Sequence, residues 1–213
     1  PILQACGNGS SELMSNISSS LVGMLYNFQL MHLIGEDGVS AYGVLMYVQF
    51  IFVAIFIGYS IGCAPVVSFH FGAQNHSELK SLLRKSTLLM ASGGVLLTIA
   101  ARLLAAPLAR LFVGYDAGLF ELTSHAFRLF SWSFLLAGFN IFTSGFFTAL
   151  NNGAISAAIS FLRTLVFQTA SVLILPLLLD VDGIWWAITV AEIFAFLISL
   201  MFLYLKRNKY HYL

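Results

Sequence analysis

Stretches of about 20 apolar residues recur along this chain, each closed by a short polar break, and that rhythm leaves few folds open. About six such blocks can be drawn, over residues 13–34, 41–71, 86–106, 126–150, 154–179 and 184–205. The breaks are GEDG, GAQNHSELK, a mixed segment with Pro107, Arg110 and Asp116, then NNG and DVDG. Glycine with short polar residues leaves a helix at low cost and seeks water, so these are natural turns. A helix of about 20 residues spans the hydrocarbon core of a bilayer.

Composition decides between a buried core and a membrane. Of 213 residues, 59% are hydrophobic and only 9% charged, with a mean hydropathy of +0.90. A soluble domain carries roughly 25% charged residues, and this chain could not cover a water-facing surface. The expected fold is therefore all-α, a polytopic membrane protein of about six transmembrane helices in a single lobe spanning residues 1–213, with the lipid bilayer as its first partner.

Other classes fall away. Two cysteines, Cys6 and Cys63, exclude a disulfide scaffold, and Cys63 in an apolar stretch reads as a small buried hydrophobe. A net charge of +1 makes no case for nucleic acid. His32, His70 and His125 lie at block ends without ligand spacing, so no metal is expected. There is no phosphate loop, no HExxH and no Ser/His/Asp set at a plausible depth, so we expect no enzyme and no cofactor. The chain begins at Pro1 without a secretory pattern, and is expected to start inside something longer.

The cations set the expected orientation. Lys80, Arg84 and Lys85 read as a cytoplasmic loop, and the C-terminal KRNK as a second cytoplasmic cluster. An even number of spans puts both on one side, favouring six, with both termini cytoplasmic in a plasma (inner) membrane. GEDG, the Arg110–Asp116 region and DVDG then face outward.

Polar residues within the blocks are few, and each is costly in lipid. In the first, Glu12, Asn16, Ser20, Gly23 and Asn27 recur at steps of three or four, one stripe that lines a water-filled path or packs on a helix. Glu12 either exchanges a cation or proton, or sits in the headgroups favoured by the helix dipole. In the fourth, Ser133, Ala137, Asn140, Ser144, Thr148 and Asn151 form a second stripe. Packing suits Ser144 and Thr148, while for Asn140, near mid-span, cavity and packing roles both stand. Arg163 lies roughly 13 Å from the inner end of its span, and Glu192 at nearly the same depth in the next. Opposite charges at one depth on sequential helices should meet, as a structural pair or a coupling device. Gly58 and Gly62 match GxxxG and are expected to pack closely on a helix.

The order of motifs resembles the C-terminal half of a multidrug and toxic compound extrusion transporter of the bacterial branch. It is carried by SSELMSNISSSLVGMLYN, by the segment from GEDGVSAYG to HFGAQN, by ARLFVGYD, by SFLRTLVFQTASVLILPLLL and by DGIWWAITVAE. The resemblance implies a twelve-helix antiporter whose two six-helix lobes rock about a central cavity, the N-terminal lobe being the missing partner. It implies export of small cationic, amphipathic compounds in exchange for Na⁺ or H⁺. By position Glu12 matches an acid that opens the C-terminal lobe of this branch, and Arg163 and Glu192 match its LRT-like and AE motifs. Some members carry an aspartate in the fourth span of this lobe, whereas no acid lies between Glu121 and Asp180 here. Two alternatives remain at this level, a lipid-linked oligosaccharide flippase of the same superfamily and a non-transporting membrane fragment.

Overall fold

The computed structural model describes the backbone of residues 2–212 and the side chains of residue 13 and residues 15–212. Among these the chain is helical, with no strand: α1 (Ile2–Leu33), α2 (Glu36–Gly72), α3 (His76–Val113), α4 (Ala117–Phe130), α5 (Phe134–Ala149), α6 (Gly153–Phe161), α7 (Gln168–Ile174) and α8 (Pro176–Tyr210). A 3₁₀ turn, Ser131–Ser133, joins α4 to α5, and a π turn, Leu162–Phe167, joins α6 to α7. Four helical runs are long and apolar enough to cross a bilayer: Glu36–Gly72, His76–Val113, Ala117–Ala149 and Gly153–Tyr210. The last doubles back at Asp180 (φ 49°, ψ −135°), where Gly183 lies against the Leu175 carbonyl, so that Asn152 reaches Tyr210 and Arg163 reaches Glu192. With the polar α1 added, the lobe is built from six antiparallel rods.

The expected breaks fall where the backbone turns left-handed. Gly35, Asn151 and Asp180 have φ of 93°, 56° and 49°, in GEDG, NNG and DVDG respectively. Asn and Asp tolerate this region because their short side chains bond locally, and glycine because it has no Cβ. Three helix starts are capped by the preceding side chain: Asn75 accepts from Glu78 N, Asp116 from Leu119 N, and Asn152 from Ile155 N.

Two expectations need correction. Lys80, Arg84, Lys85, Pro107 and Arg110 all lie inside α3 rather than in loops. Proline at position 107 removes one donor without ending the helix, because the polar residues beside it are too sparse to draw the chain into water. Gly58 and Gly62 do not pack closely either: a Cβ on either would meet nothing within 4 Å. Close approaches between helices are at Gly94, where a Cβ would stand 2.6 Å from the Leu135 carbonyl oxygen, at Gly138, against the Phe56 ring, and at Gly145, against the Ser60 hydroxyl. A GxxxG match records spacing along one helix and cannot say which face a partner covers.

The run Ala117–Ala149 is the axle of the lobe. In its most apolar window 61% of residues are buried, against 11% for α2, which turns most of its surface outward. Two apolar clusters pack around it. One, at the end away from the termini, holds Leu30, Leu45, Phe127, Phe134 and Trp185. The other, at the end with the C-terminus, holds Phe142, Phe146, Phe147, Tyr210 and Tyr212. Tyr212 donates to the Leu203 carbonyl and Asn152 to the Tyr210 hydroxyl, so the last residues clamp this second cluster shut. Between the clusters lies a polar layer.

Gly94→Ala is expected to destabilise the lobe by about 1–3 kcal/mol through overpacking, against the ~1 kcal/mol that helix propensity alone would add. Gly93→Ala, whose Cβ would only touch the Phe56 ring at 3.4 Å, should be neutral or stabilising. Thermal unfolding in detergent, read for both variants side by side, checks the sign at each glycine.

Candidate functional site: a polar cavity and the buried pair behind it

The polar layer begins with Glu192, on the inner face of α8 between the two apolar clusters. Its side chain is 3% exposed. A carboxylate so placed must be satisfied by donors or stay uncharged. Two residues supply them. Arg163 donates from Nε to Oε1 at 2.9 Å and Oε2 at 3.1 Å, and from Nη2 to Oε1 at 2.7 Å. Asn140 donates from Nδ2 to Oε2 at 2.7 Å and to the Glu192 carbonyl at 3.0 Å. A planar guanidinium matches both carboxylate oxygens at once, which an ammonium could not do.

Local structure explains why the arginine arrives there. Arg163 is the second residue of the π turn, which adds a residue to the helical repeat and re-aims the side chains that follow Phe161. Asn140 sits mid-way along α5, fully buried, and its Oδ1 has no partner among the described residues.

In front of this pair lies a cavity of about 300 Å³ between α1, α2, α5 and the α6–α7 span. Asn16, Ser19, Gly23 and Tyr26 line it from α1; Tyr42, Gln49 and Ser60 from α2; Ser144 and Gly145 from α5. Ser160, Arg163, Thr164 and Gln168 complete the wall. Arg163, with 18% of its side chain exposed, therefore stands between the cavity and Glu192, which does not line it. Below them the hydroxyls of Ser144, Ser156, Ser160 and Thr148 join at 2.7–2.9 Å, a polar seam that ties α5 to α6.

The residues expected from sequence thus separate. Arg163, Glu192 and Asn140 form one bonded unit; Asn16, Ser144 and Arg163 line the cavity. Asn27 is exposed and lies outside the lining, and on α1 it is Ser15 and Ser19, rather than Ser20, that face the cavity. The side chain of Glu12 lies outside the described residues. Tyr26, Tyr42, Gln49 and Gln168 were not anticipated. On α2 a signal exists: Tyr42, Met46, Gln49, Val53, Ile57 and Ser60 recur at steps of three and four, one face whose polar members stand out only against an otherwise apolar helix.

Helices long enough to span lipid, folded around a cavity with polar groups in its wall, make a polytopic membrane lobe. The MatE family profile matches residues 13–173, and the chain belongs to that family. It superposes with a TM-score of 0.90 and 19% identity on an outward-facing multidrug resistance MATE family transporter of the MOP superfamily, covering 99% of this chain and 48% of that one. An inward-facing structure so described matches at 0.87 and 18%, over 95% and 47%. A MOP superfamily transporter from Pyrococcus furiosus, described as having a binding pocket of reverse polarity, matches at 0.84 and 22%, over 95% and 47%. The chain spans about half the length of these structures. No curated protein matches.

Glu192→Leu alone should cost about 3 kcal/mol, the low end for a broken buried pair, because the guanidinium of Arg163 loses its counter-charge but still reaches the cavity. Arg163→Met combined with Glu192→Leu should recover most of that loss. A double-mutant cycle on thermal unfolding measures it, and additive losses would show that the two side chains do not depend on each other.

Proposed function

We propose that the chain is the C-terminal lobe of a secondary active transporter that expels small cationic amphipathic compounds in exchange for Na⁺ or H⁺. The observation that carries this reading is an open cavity lined by polar and apolar side chains together, as an amphipathic solute requires, with the Arg163–Glu192 pair at its wall. Polar residues are kept at membrane depth where a polar species has to pass or bind.

In this reading Asn16 and Ser144 contact the passing solute, Glu12 serves the same path nearer the start of α1, Arg163, Glu192 and Asn140 report its arrival, and Asn27, which lies outside the lining, has no part in it. A cation or proton that binds Glu192 competes with Arg163, freeing a guanidinium that can then repel a cationic solute from the cavity. That is a differential interaction between loaded states, which any exchange mechanism requires. The protein would sit in the plasma membrane with both ends of this lobe cytoplasmic.

One observation favours a second reading. Among the described lining residues Arg163 carries the one charge, which suits an anionic solute such as the phosphate of a lipid-linked oligosaccharide. Glu192 neutralises that charge, so we place this reading second.

In pump-deficient bacteria, the whole transporter is expected to export a fluorescent cationic dye, and export should collapse with the proton or sodium gradient. Glu192→Gln and Glu12→Gln should each slow it at least about tenfold, which needs a barrier only ~1.4 kcal/mol higher, without loss of membrane insertion. Unchanged export in both variants removes these two residues from the mechanism. Absent export with translocation of a lipid-linked sugar would support the second reading.

A further inference from the structure

Outside the cavity, three exposed arginines gather at the end of the lobe away from the C-terminus. On α3, Ile99, Leu103, Ala106 and Arg110 recur at steps of four and three, with Arg102 beside them one turn below Ala106. On α4 and the turn after it, Phe120, Ser124, Arg128 and Trp132 recur at steps of four. The two helices run antiparallel through a short turn, and these ridges meet. Near one end the Arg102 guanidinium lies over the Trp132 ring, 4.6 Å from its centroid. Near the other, Arg110 and Phe120 wall a groove of about 820 Å³ whose floor is Ala106 and Pro107. Arg128 stands on the α4 ridge between them.

None of the three is ion-paired: the pairs among the described residues are His125–Asp182 and Arg163–Glu192. The acids nearest in sequence do not serve them. Asp116 caps α4 by accepting from Leu119 N at 2.9 Å, and Glu121 makes no ion pair. Yet these cations emerge among lipid-facing side chains, with Leu103 73% and Leu111 75% exposed. An unpaired guanidinium among hydrocarbon is costly unless it snorkels to an anion. Trp132, amphipathic and part exposed, lies six residues inside the fourth apolar block, where its ring shields the Arg102 cation from the apolar side chains around it.

We infer that the groove between α3 and α4 binds the headgroup phosphate of an anionic phospholipid. Arg110 lines the groove from α3; Arg128 and Arg102, the latter braced on Trp132, lie about two turns further along α4 and α3 and extend the positive surface along which the headgroup lies. Guanidinium suits this role because its fork donates to two phosphate oxygens at once. The acyl chains run along Ile99 and Leu103 toward the middle of the bilayer, which makes the occupant a lipid rather than free phosphate. The net positive charge of the groove favours phosphatidylglycerol over phosphatidylcholine.

The test is lipid retention by the whole protein in detergent, titrated by native mass spectrometry with the two lipids carrying identical chains. Wild-type protein should hold phosphatidylglycerol about tenfold more tightly than phosphatidylcholine. Arg110→Gln with Arg128→Gln should abolish that preference, while Lys80→Gln with Lys85→Gln, which removes as much charge at the opposite end, should leave it intact. Equal affinity for the two lipids in wild type would overturn the proposal. So would a preference surviving in the arginine variant, or one lost equally in the lysine control. Competition by chainless glycerophosphoglycerol at the same concentration would overturn it in favour of a simple anion site.

Discussion

A carboxylate that is 3% exposed inside a lipid-facing bundle persists only where donors reach it, and Glu192 obtains them from two other spans. Arg163 comes from the α6–α7 span and Asn140 from α5, so one side chain holds the fourth, fifth and sixth rods in register. Removing water raises the cost of each unmade bond here, which is why the contact constrains its surroundings so strongly. The apolar clusters above and below it can slide, since methyl and phenyl contacts are not directional. The polar unit cannot.

Much of this was legible in the chain. The breaks GEDG, NNG and DVDG were readable because their residues suit the left-handed backbone that Gly35, Asn151 and Asp180 adopt. The meeting of Arg163 with Glu192 follows from counting helix rise on adjacent antiparallel spans. Other features were hidden for physical reasons. Nothing in LRTLVF announces a π turn, because the inserted residue changes hydrogen-bond partners without changing which residues suit a helix. The 3₁₀ turn at Ser131–Ser133 is equally silent. On α1 the polar residues are so numerous that several stripes fit, and only the packing of α1 against its neighbours turns Ser15 and Ser19, rather than Ser20 and Asn27, toward the cavity. Gln49 and Tyr42 were masked by the length of the apolar run around them, where packing, not composition, separates the cavity face from the lipid face.

The hydroxyl seam and the buried pair act at different ranges. Ser144, Thr148, Ser156 and Ser160 join neighbours across one tight helix contact, short bonds between small side chains that let backbones approach. Arg163 and Glu192 bridge a wider gap with long side chains, and their bond fixes α8 against the π turn across a distance the small hydroxyls could not span.

The π turn also bears on how this span tolerates length changes. An ordinary helix repeats every 3.6 residues, and the turn at Leu162–Phe167 carries one residue more than that repeat asks for. Loss of a single residue within it would give a more regular helix, and so a locally more comfortable one. It would leave Phe161 and Gln168 on nearly the faces they hold now, because the wider turn takes up the extra residue within itself, and would change chiefly the direction of Arg163 inside the turn. The span therefore holds an irregular segment at a site where local helix energetics favour shortening it. Insertions and deletions in related chains should spare these six residues, however freely they enter the turns at either end.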